Sequence, residues 1–193
     1  VSDWSSDVCS SDLCPALARR LTHFGQPSLP LAAHHPAWKA EIARMRQRIE
    51  RERTPQGKDA LAFKTGSGGL VDVEFMAQAL AMEHGWFEPN TLASLHCARE
   101  RGVLPAPLAR DLVTHFRALR RMESILRRWS FEGEAVLPDD PAPQYRVAVR
   151  CGYTDAVSFL EDLRRWRAAV RDAYLTVLPV PAEEPSRRLS SRG

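Results

Sequence analysis

Lysine is scarce in this chain of 193 residues: only Lys39, Lys58 and Lys64 are lysines, and the other basic residues are arginines. That bias is the mark of GC-rich bacterial coding. Long apolar runs are missing too. No stretch approaches the roughly 18 residues that a membrane-spanning helix needs, so no membrane partner is expected. Cysteine is sparse, with four in all, none of them in C-x-x-C spacing. Neither a disulfide framework nor a cysteine zinc site is indicated, and a cytoplasmic protein with reduced thiols is expected. His34-His35, His84, His96 and His115 show no metal-ligand spacing. No internal repeat is present.

What is there begins with an anomaly. Val1–Leu13 (VSDWSSDVCSSDL) has no helical or strand period and no targeting logic, and it back-translates into a common short-read sequencing adapter. It reads as an assembly artefact in front of an N-terminally truncated fragment. Setting it aside removes Asp3, Asp7 and Asp12 but no base, so the formal excess of +3 becomes +6. Cys14, Cys97 and Cys151 then remain, the latter two as core fillers.

Residues 14–35 form an incomplete entry segment broken by Pro27, Pro30 and Pro36. From Trp38 the spacing predicts a helix to Thr54-Pro55, with Trp38, Ile42, Met45 and Ile49 on one face and Arg44, Arg48 and Arg51 outside. Leu61-Ala62-Phe63-Lys64 reads as a short strand entering a glycine-rich turn. A helix follows from Leu70 to His84, with Val73, Met76, Ala77 and Leu80 inside and Gly85 as its stop. Asn90 caps the next helix, which ends at Gly102. Pro105 or Pro107 opens a long helix to about Trp129, whose buried stripe is Leu112, Phe116, Leu119, Met122 and Leu126. A short helix over Gln144 to Cys151 and a last one capped by Asp155 complete the pattern. The last helix buries Phe159, Leu163, Trp166, Val170, Tyr174 and Val177. The tail, residues 179–193, has a disordered composition. Fold class is therefore mainly α, a helical bundle with a short remnant strand.

The chemistry concentrates in Lys64-Thr65-Gly66-Ser67-Gly68-Gly69-Leu70-Val71-Asp72-Val73-Glu74-Phe75. Gly66, Gly68 and Gly69 allow a sharp turn and close approach to a ligand, and a helix N-terminus behind them suits phosphate. Lys64 precedes the turn and could pair with that phosphate. In a P-loop the lysine would follow the last glycine. The plain alternative is a tight connection with acids that only complement the helix dipole. Asp72 and Glu74, at i and i+2, point to different sides of a helix but the same side of a strand. A shared Mg²⁺ therefore needs an extended or distorted segment, or the use of one acid alone. Gln78 lies one turn after Glu74 and could hold its carboxylate or touch substrate.

Met45-Arg46, the run Phe63-Lys64-Thr65-Gly66-x-Gly68-Gly69-Leu70-x-Asp72-x-Glu74-Phe75-x-x-Gln78, Pro89-Asn90-Thr91-Leu92, Leu119-Arg120-Arg121-Met122-Glu123 and Gly152-Tyr153 together resemble the region after the nucleotidyltransferase core of glutamine synthetase adenylyltransferases. Related uridylyltransferases share Gly-Gly-Leu-x-Asp, but Glu74-Phe75 and Gln78 fit the adenylyltransferases better. The resemblance covers roughly residues 36–178. It implies that 14–69 is the end of a nucleotidyltransferase palm and that 70–178 is the following helical domain, of the C-terminal, adenylylating half. It also implies ATP as substrate, Mg²⁺ as cofactor, and glutamine synthetase and a nitrogen-regulatory signal protein as partners. Asp72 and Glu74 would be the catalytic, metal-binding acids, and Lys64, Gly66, Gly68, Gly69 and Gln78 would contact the nucleotide. The fragment by itself is expected to be inactive. A noncatalytic interaction bundle is the second reading. Nucleic-acid binding ranks last, because Arg117, Arg120, Arg121, Arg127 and Arg128 lack interleaved aromatics and suit a solvated face. Within that run Glu123–Arg127 is expected as an i,i+4 pair, and Trp129 and Phe131 as packing residues.

Overall fold

The computed structural model describes residues 37–130 and 135–179. The adapter-like leader, the entry segment with Cys14 and His34-His35, Phe131, and the tail from 180 onward lie outside them. Six helices follow in order: α1 (Trp38–Arg53), α2 (Leu70–His84), α3 (Thr91–Glu100), α4 (Ala106–Ser130), α5 (Pro141–Cys151) and α6 (Ala156–Val177). The bundle expected from the periodicity is what forms.

The helix ends follow local chemistry. Thr54 is extended (φ −96°, ψ 116°), as a residue before proline must be, and α1 stops there. Gly85 closes α2 in the left-handed region at φ 70°. Asn90 Oδ1 accepts from the Ala93 N–H at 3.1 Å and starts α3. Asp155 Oδ1 accepts from the Ser158 N–H at 2.8 Å and starts α6. The Ser158 N–H and hydroxyl hold the Asp155 carboxyl below the usual carboxylate range. The α5 helix begins at Pro141, three residues ahead of the expected Gln144. Pro141 and Pro143 sit in a first turn whose N–H groups need no intrahelical partner, so neither breaks it.

The hub is α2, which packs against α1, α3, α4 and α6. It buries Leu70, Asp72, Val73, Met76, Ala77, Ala79, Leu80 and Ala81, nearly all round its circumference, as a central helix does. The long helix α4 lies against α2, α3, α5 and α6, with the expected stripe of Leu112, Phe116, Leu119, Met122 and Leu126 buried. A polar relay joins α2 to α3: Trp86 Nε1 donates to Ser94 Oγ, and Ser94 Oγ donates to the Ala77 carbonyl, both at 3.1 Å. Cys97 and Cys151 are partly buried against the core.

Three expectations need correction. Leu61–Lys64 forms turns, and no strand is present among the described residues. Ala62 O, Phe63 O and Lys64 O accept from Gly66, Leu70 and Val71 of the following turn, while Leu61 O accepts from the Leu137 N–H and the Lys64 N–H donates to Ala135 O, too few bonds between segments to make a strand. On the α1 helix, Met45 is 48% exposed, whereas Ala43 and Arg46 are fully buried. Trp38 and Ile42 do pack against the core as expected, and the charge partner of Arg46 on α2, described below, turns the buried face away from Met45. Glu123 does not pair with Arg127. It turns toward Lys64 and Arg120.

Candidate functional site

The glycine turn between Lys64 and α2 is closed by its own hydrogen bonds. Gly66 N–H donates to Ala62 O at 3.1 Å, and Gly69 N–H to Gly66 O at 3.0 Å. Leu70 N–H donates to Phe63 O at 3.0 Å and Val71 N–H to Lys64 O at 3.1 Å. The Gly68 N–H donates to Asp72 Oδ2 at 2.7 Å. The amides of Gly66, Gly68 and Gly69 are thus all engaged inside the turn. A helix N-terminus attracts an anion through free N–H groups, and in this structure the anion that the Gly68 N–H meets is Asp72 itself.

The glycines serve close packing instead. Gly68 has φ +69°, and a Cβ there would lie 1.9 Å from the Arg167 carbonyl oxygen on α6. A Cβ on Gly66 would lie 2.4 Å from Ala62 O. One on Gly69 would lie 2.6 Å from the carbonyls of Phe63 and Lys64. The chain passes where only a bare α-carbon fits.

The carbonyl side of the same loop is held by arginines. Arg167 Nη1 donates to Ala60 O at 2.5 Å, and Nη2 donates to Asp59 O at 2.7 Å and Ser67 O at 2.8 Å. Arg167 Nε also reaches Ser67 O at 3.1 Å. Arg46 Nη2 donates to Gly66 O at 3.0 Å. A planar guanidinium with several fixed donors can satisfy such a set of carbonyls, which an ammonium cannot. Burial pulls the Arg167 guanidinium below its ordinary value, and the charges of Asp72, Glu50 and Asp59 pull it back.

Asp72 is sealed from solvent between two of these cations. Arg46 Nε lies 2.5 Å from Oδ1, and Arg171 Nη1 lies 3.2 Å from Oδ2. The Arg46 contact is close without the alignment of a hydrogen bond, so charge holds it. Glu50 bridges the same arginines, 3.2 Å from Arg46 Nη1 and 3.3 Å from Arg171 Nη1. This knot ties α1, α2 and α6 at one point. Tyr174 lies beside it, with the Arg171 guanidinium 5.1 Å from its ring centre and a buried hydroxyl that has no hydrogen-bond partner. Burial, reinforced by Asp72, pushes its phenol up to about 12.

Glu74 leaves α2 on another side, as i and i+2 on a helix must. It pairs with Arg120 of α4. Arg120 Nη1 also holds Glu123 Oε2 at 2.7 Å, and Lys64 Nζ holds Glu123 Oε1 at 2.9 Å. Two bases and two acids therefore form one chain, Lys64–Glu123–Arg120–Glu74, at the surface. Burial raises the Glu74 carboxyl above its ordinary value despite Arg120. Burial also pushes the Glu123 carboxyl up, but hydrogen bonds and charge from Lys64 and Arg120 outweigh it and the net shift is down. Gln78 is exposed one turn further along α2.

The structure thus brings Lys64 and Glu74 into one group and puts Asp72 elsewhere. Mg²⁺ demands near-octahedral oxygen ligands and commonly takes one or two carboxylates. Here Asp72 is enclosed by guanidiniums and Glu74 is engaged by Arg120. Among the described residues, no three acid, histidine or cysteine side chains converge as metal ligands would. These residues do not fit a Mg²⁺ site of their own.

Arg167 and Arg171, which also organise the site, escaped the sequence reading, and Arg46, Arg120 and Glu123 were noted in it without this role. Arg167 carried a usable signal. It falls four after Leu163 and three before Val170, on the buried stripe of α6, where an unpaired arginine would be costly.

A bifunctional glutamine synthetase adenylyltransferase/adenylyl-removing enzyme from Pseudomonas syringae pv. tomato is 31% identical over 153 residues, 75% of this chain and 15% of that protein. The enzyme of the same name from Hahella chejuensis is 27% identical over 149 residues, again 75% of this chain and 15% of the relative. One from Streptomyces avermitilis is 45% identical over 75 residues, 38% of this chain and 7% of the relative. The chain thus spans about 15% of the length of the first two relatives. The family model described as GlnD PII-uridylyltransferase matches residues 37–178. That match takes in all six described helices and the knot that joins them, and the chain belongs to this nucleotidyltransferase family.

Proposed function

We propose that this chain is the helical part of a nucleotidyltransferase that moves AMP from ATP to a tyrosine of glutamine synthetase. In the whole enzyme the same AMP would be removed by phosphorolysis. The observation that carries the reading is the construction of the Lys64–Phe75 segment. Its turn is fixed by Asp72, Arg46, Arg167 and Arg171, and it holds Lys64 and Glu74 on one face with Arg120 and Glu123. The names of the relatives, glutamine synthetase adenylyltransferase/adenylyl-removing enzymes, support the choice of AMP and of glutamine synthetase.

In this reading the chain contributes position more than chemistry. A rigid turn fixes Lys64 and Glu74 relative to each other, and effective molarity in group transfer depends on such placement. Lys64 would supply a positive charge toward a phosphate, Glu74 a single carboxylate, and exposed Gln78 a polar contact. Asp72 keeps the turn in shape.

The test uses a chimera. This chain, from residue 37 to 178, replaces the matching segment of the Pseudomonas syringae relative, and labelling of glutamine synthetase from α-³²P-ATP is measured. Labelling within about tenfold of the parent is expected, and none from the isolated 193-residue chain. A folded chimera that transfers nothing would sink the proposal. Labelling of a protein target from UTP and not ATP would favour the uridylyl-transfer reading, which the family model's description supports.

A further inference from the structure

A second charged feature lies away from the glycine turn. A groove of about 620 Å³ runs between α4 and α5, lined by Arg121, Ser124, Ile125, Arg128, Trp129 and Arg150. None of these lining residues is acidic. Among the described residues, its basic side chains therefore meet no acid within the groove, unlike the Lys64–Glu74 group with two bases and two acids.

The aromatic at its end is already engaged. The Arg146 guanidinium lies 4.6 Å from the Trp129 ring centre, and that of Arg150 lies 5.8 Å from it. Stacking on an indole restrains an otherwise mobile side chain, so a ligand that pairs with these arginines loses less freedom on binding. Arg121 Nη2 is also steadied, donating to the Arg150 carbonyl at 3.1 Å. Beside the arginines, α5 exposes two apolar side chains, Tyr145 at 52% and Val149 at 46%, and Trp129 is 40% exposed. Arginine, tryptophan and tyrosine together are the composition of protein-binding hot spots.

We infer that the α4–α5 groove is a docking surface for an acidic segment of a partner protein. The dimensions favour an extended chain. Arg121 and Arg128 are seven residues apart on α4, about 10.5 Å along its axis at ~1.5 Å per residue. Three residues of a polyproline-II segment make one turn and cover about 9 Å. Acids three apart in such a segment share a face and meet both arginines, and a compact phosphate cluster reaches one end only. The side chains between them would face Tyr145 and Val149. Single-stranded nucleic acid fits less well, because base stacking needs an open aromatic face and two guanidiniums already lie over Trp129.

The inference stands apart from nucleotidyl transfer and is tested without ATP. The probe is a fluorescein-labelled peptide of about twelve residues repeating Glu-Asp-Leu, titrated with the 193-residue chain by anisotropy. The comparison ligands are a thymidine oligonucleotide of similar length and inorganic tripolyphosphate. We expect the double variant Arg128→Glu/Arg150→Glu to weaken peptide binding at least tenfold. The control Arg44→Glu/Arg48→Glu, on exposed α1 positions with the same change in net charge, should stay within about twofold. Tyr145→Ser should weaken binding about threefold with no change in its salt dependence. Equal losses in both double variants would mean nonspecific charge attraction and overturn the inference. So would tighter binding of the oligonucleotide or of tripolyphosphate than of the peptide. Unchanged circular dichroism of each variant shows that the comparison is between folded proteins.

Discussion

Arg46 Nε lies 2.5 Å from Asp72 Oδ1, and neither side chain meets solvent. An arginine of α1 and an aspartate of α2 thus neutralise each other in the interior, and Arg171 and the Gly68 N–H take the other carboxylate oxygen. Removing one partner of a buried pair leaves the other charged and unpaired, at a cost of about 3–5 kcal/mol. Asp72→Asn is expected to destabilise the chain by that amount in urea denaturation followed by circular dichroism. Glu74→Gln, which breaks the more exposed pair with Arg120, should cost no more than about 1 kcal/mol. If the two substitutions cost the same, Asp72 does not hold the fold in the way described.

Gly68 and Gly57 offer a second, paired measurement. Both have positive φ, +69° and +76°, so alanine at either strains the backbone by about 1–2 kcal/mol. Only Gly68 has a neighbour in the way, with the Arg167 carbonyl oxygen 1.9 Å from the added carbon, whereas nothing lies within 4 Å at Gly57. Gly68→Ala is therefore expected to cost at least about 2 kcal/mol more than Gly57→Ala. Equal costs would mean that the turn can move away from α6.

The Tyr174 phenol gives a pH signature. Folding holds it protonated up to about 12, mainly through burial, against 10 for the free group. Its folded value is raised, so its contribution is fully present below pH 10. Between pH 10 and about 12 the unfolded chain releases the proton first, and that stability is lost as pH rises. Tyr174→Phe removes a hydroxyl that has no partner, so it should be neutral or slightly stabilising at pH 7. It should also flatten the alkaline decline in melting temperature over that window. A decline as steep as that of the parent chain would exclude Tyr174 as a source. Tyr153, also near 12 through burial and its bond to Asp162, is the control that should retain its own share.

How far the sequence could be read depended on whether a residue's environment came from its own helix. Asn90, Asp155 and Gly85 act on groups within four residues of themselves, and each was placed by spacing alone. The apolar stripe of α4 was legible for the same reason. The interior charges were not. Arg46 meets Asp72 across 26 positions of chain, and Arg167 meets Asp59 across 108, so no local pattern names the partner of either, even though the place of Arg167 on the α6 stripe marks it as buried. The glycine turn was found at its correct place, but the groups that its amides and α-carbons meet were not legible. Three glycines before a helix look alike whether the space they leave admits a phosphate or the backbone of α6. In the structure the Arg167 backbone lies against Gly68, a contact across about 100 positions of chain.

That position supplies the last prediction. One guanidinium fills the carbonyls of Asp59, Ala60 and Ser67 at once, using Nε, Nη1 and Nη2. A lysine keeps the charge but has one nitrogen, and it cannot reach carbonyls arranged around a planar fork. Arg167→Lys should therefore leave at least one buried carbonyl without a donor, and a hydrogen bond to a charged group is worth about 1.5–3 kcal/mol. We expect a loss of about 2–3 kcal/mol and, in native-state hydrogen exchange, a selective loss of protection at the Gly66, Gly68 and Gly69 amides. Those amides are bonded to other groups of the turn and not to Arg167, so they open only if the loop loses its anchor on α6. Uniform loss across all six helices would mean that Arg167 adds to general stability without fixing the turn. Unchanged protection would mean that Asp72 and Arg46 suffice to hold it.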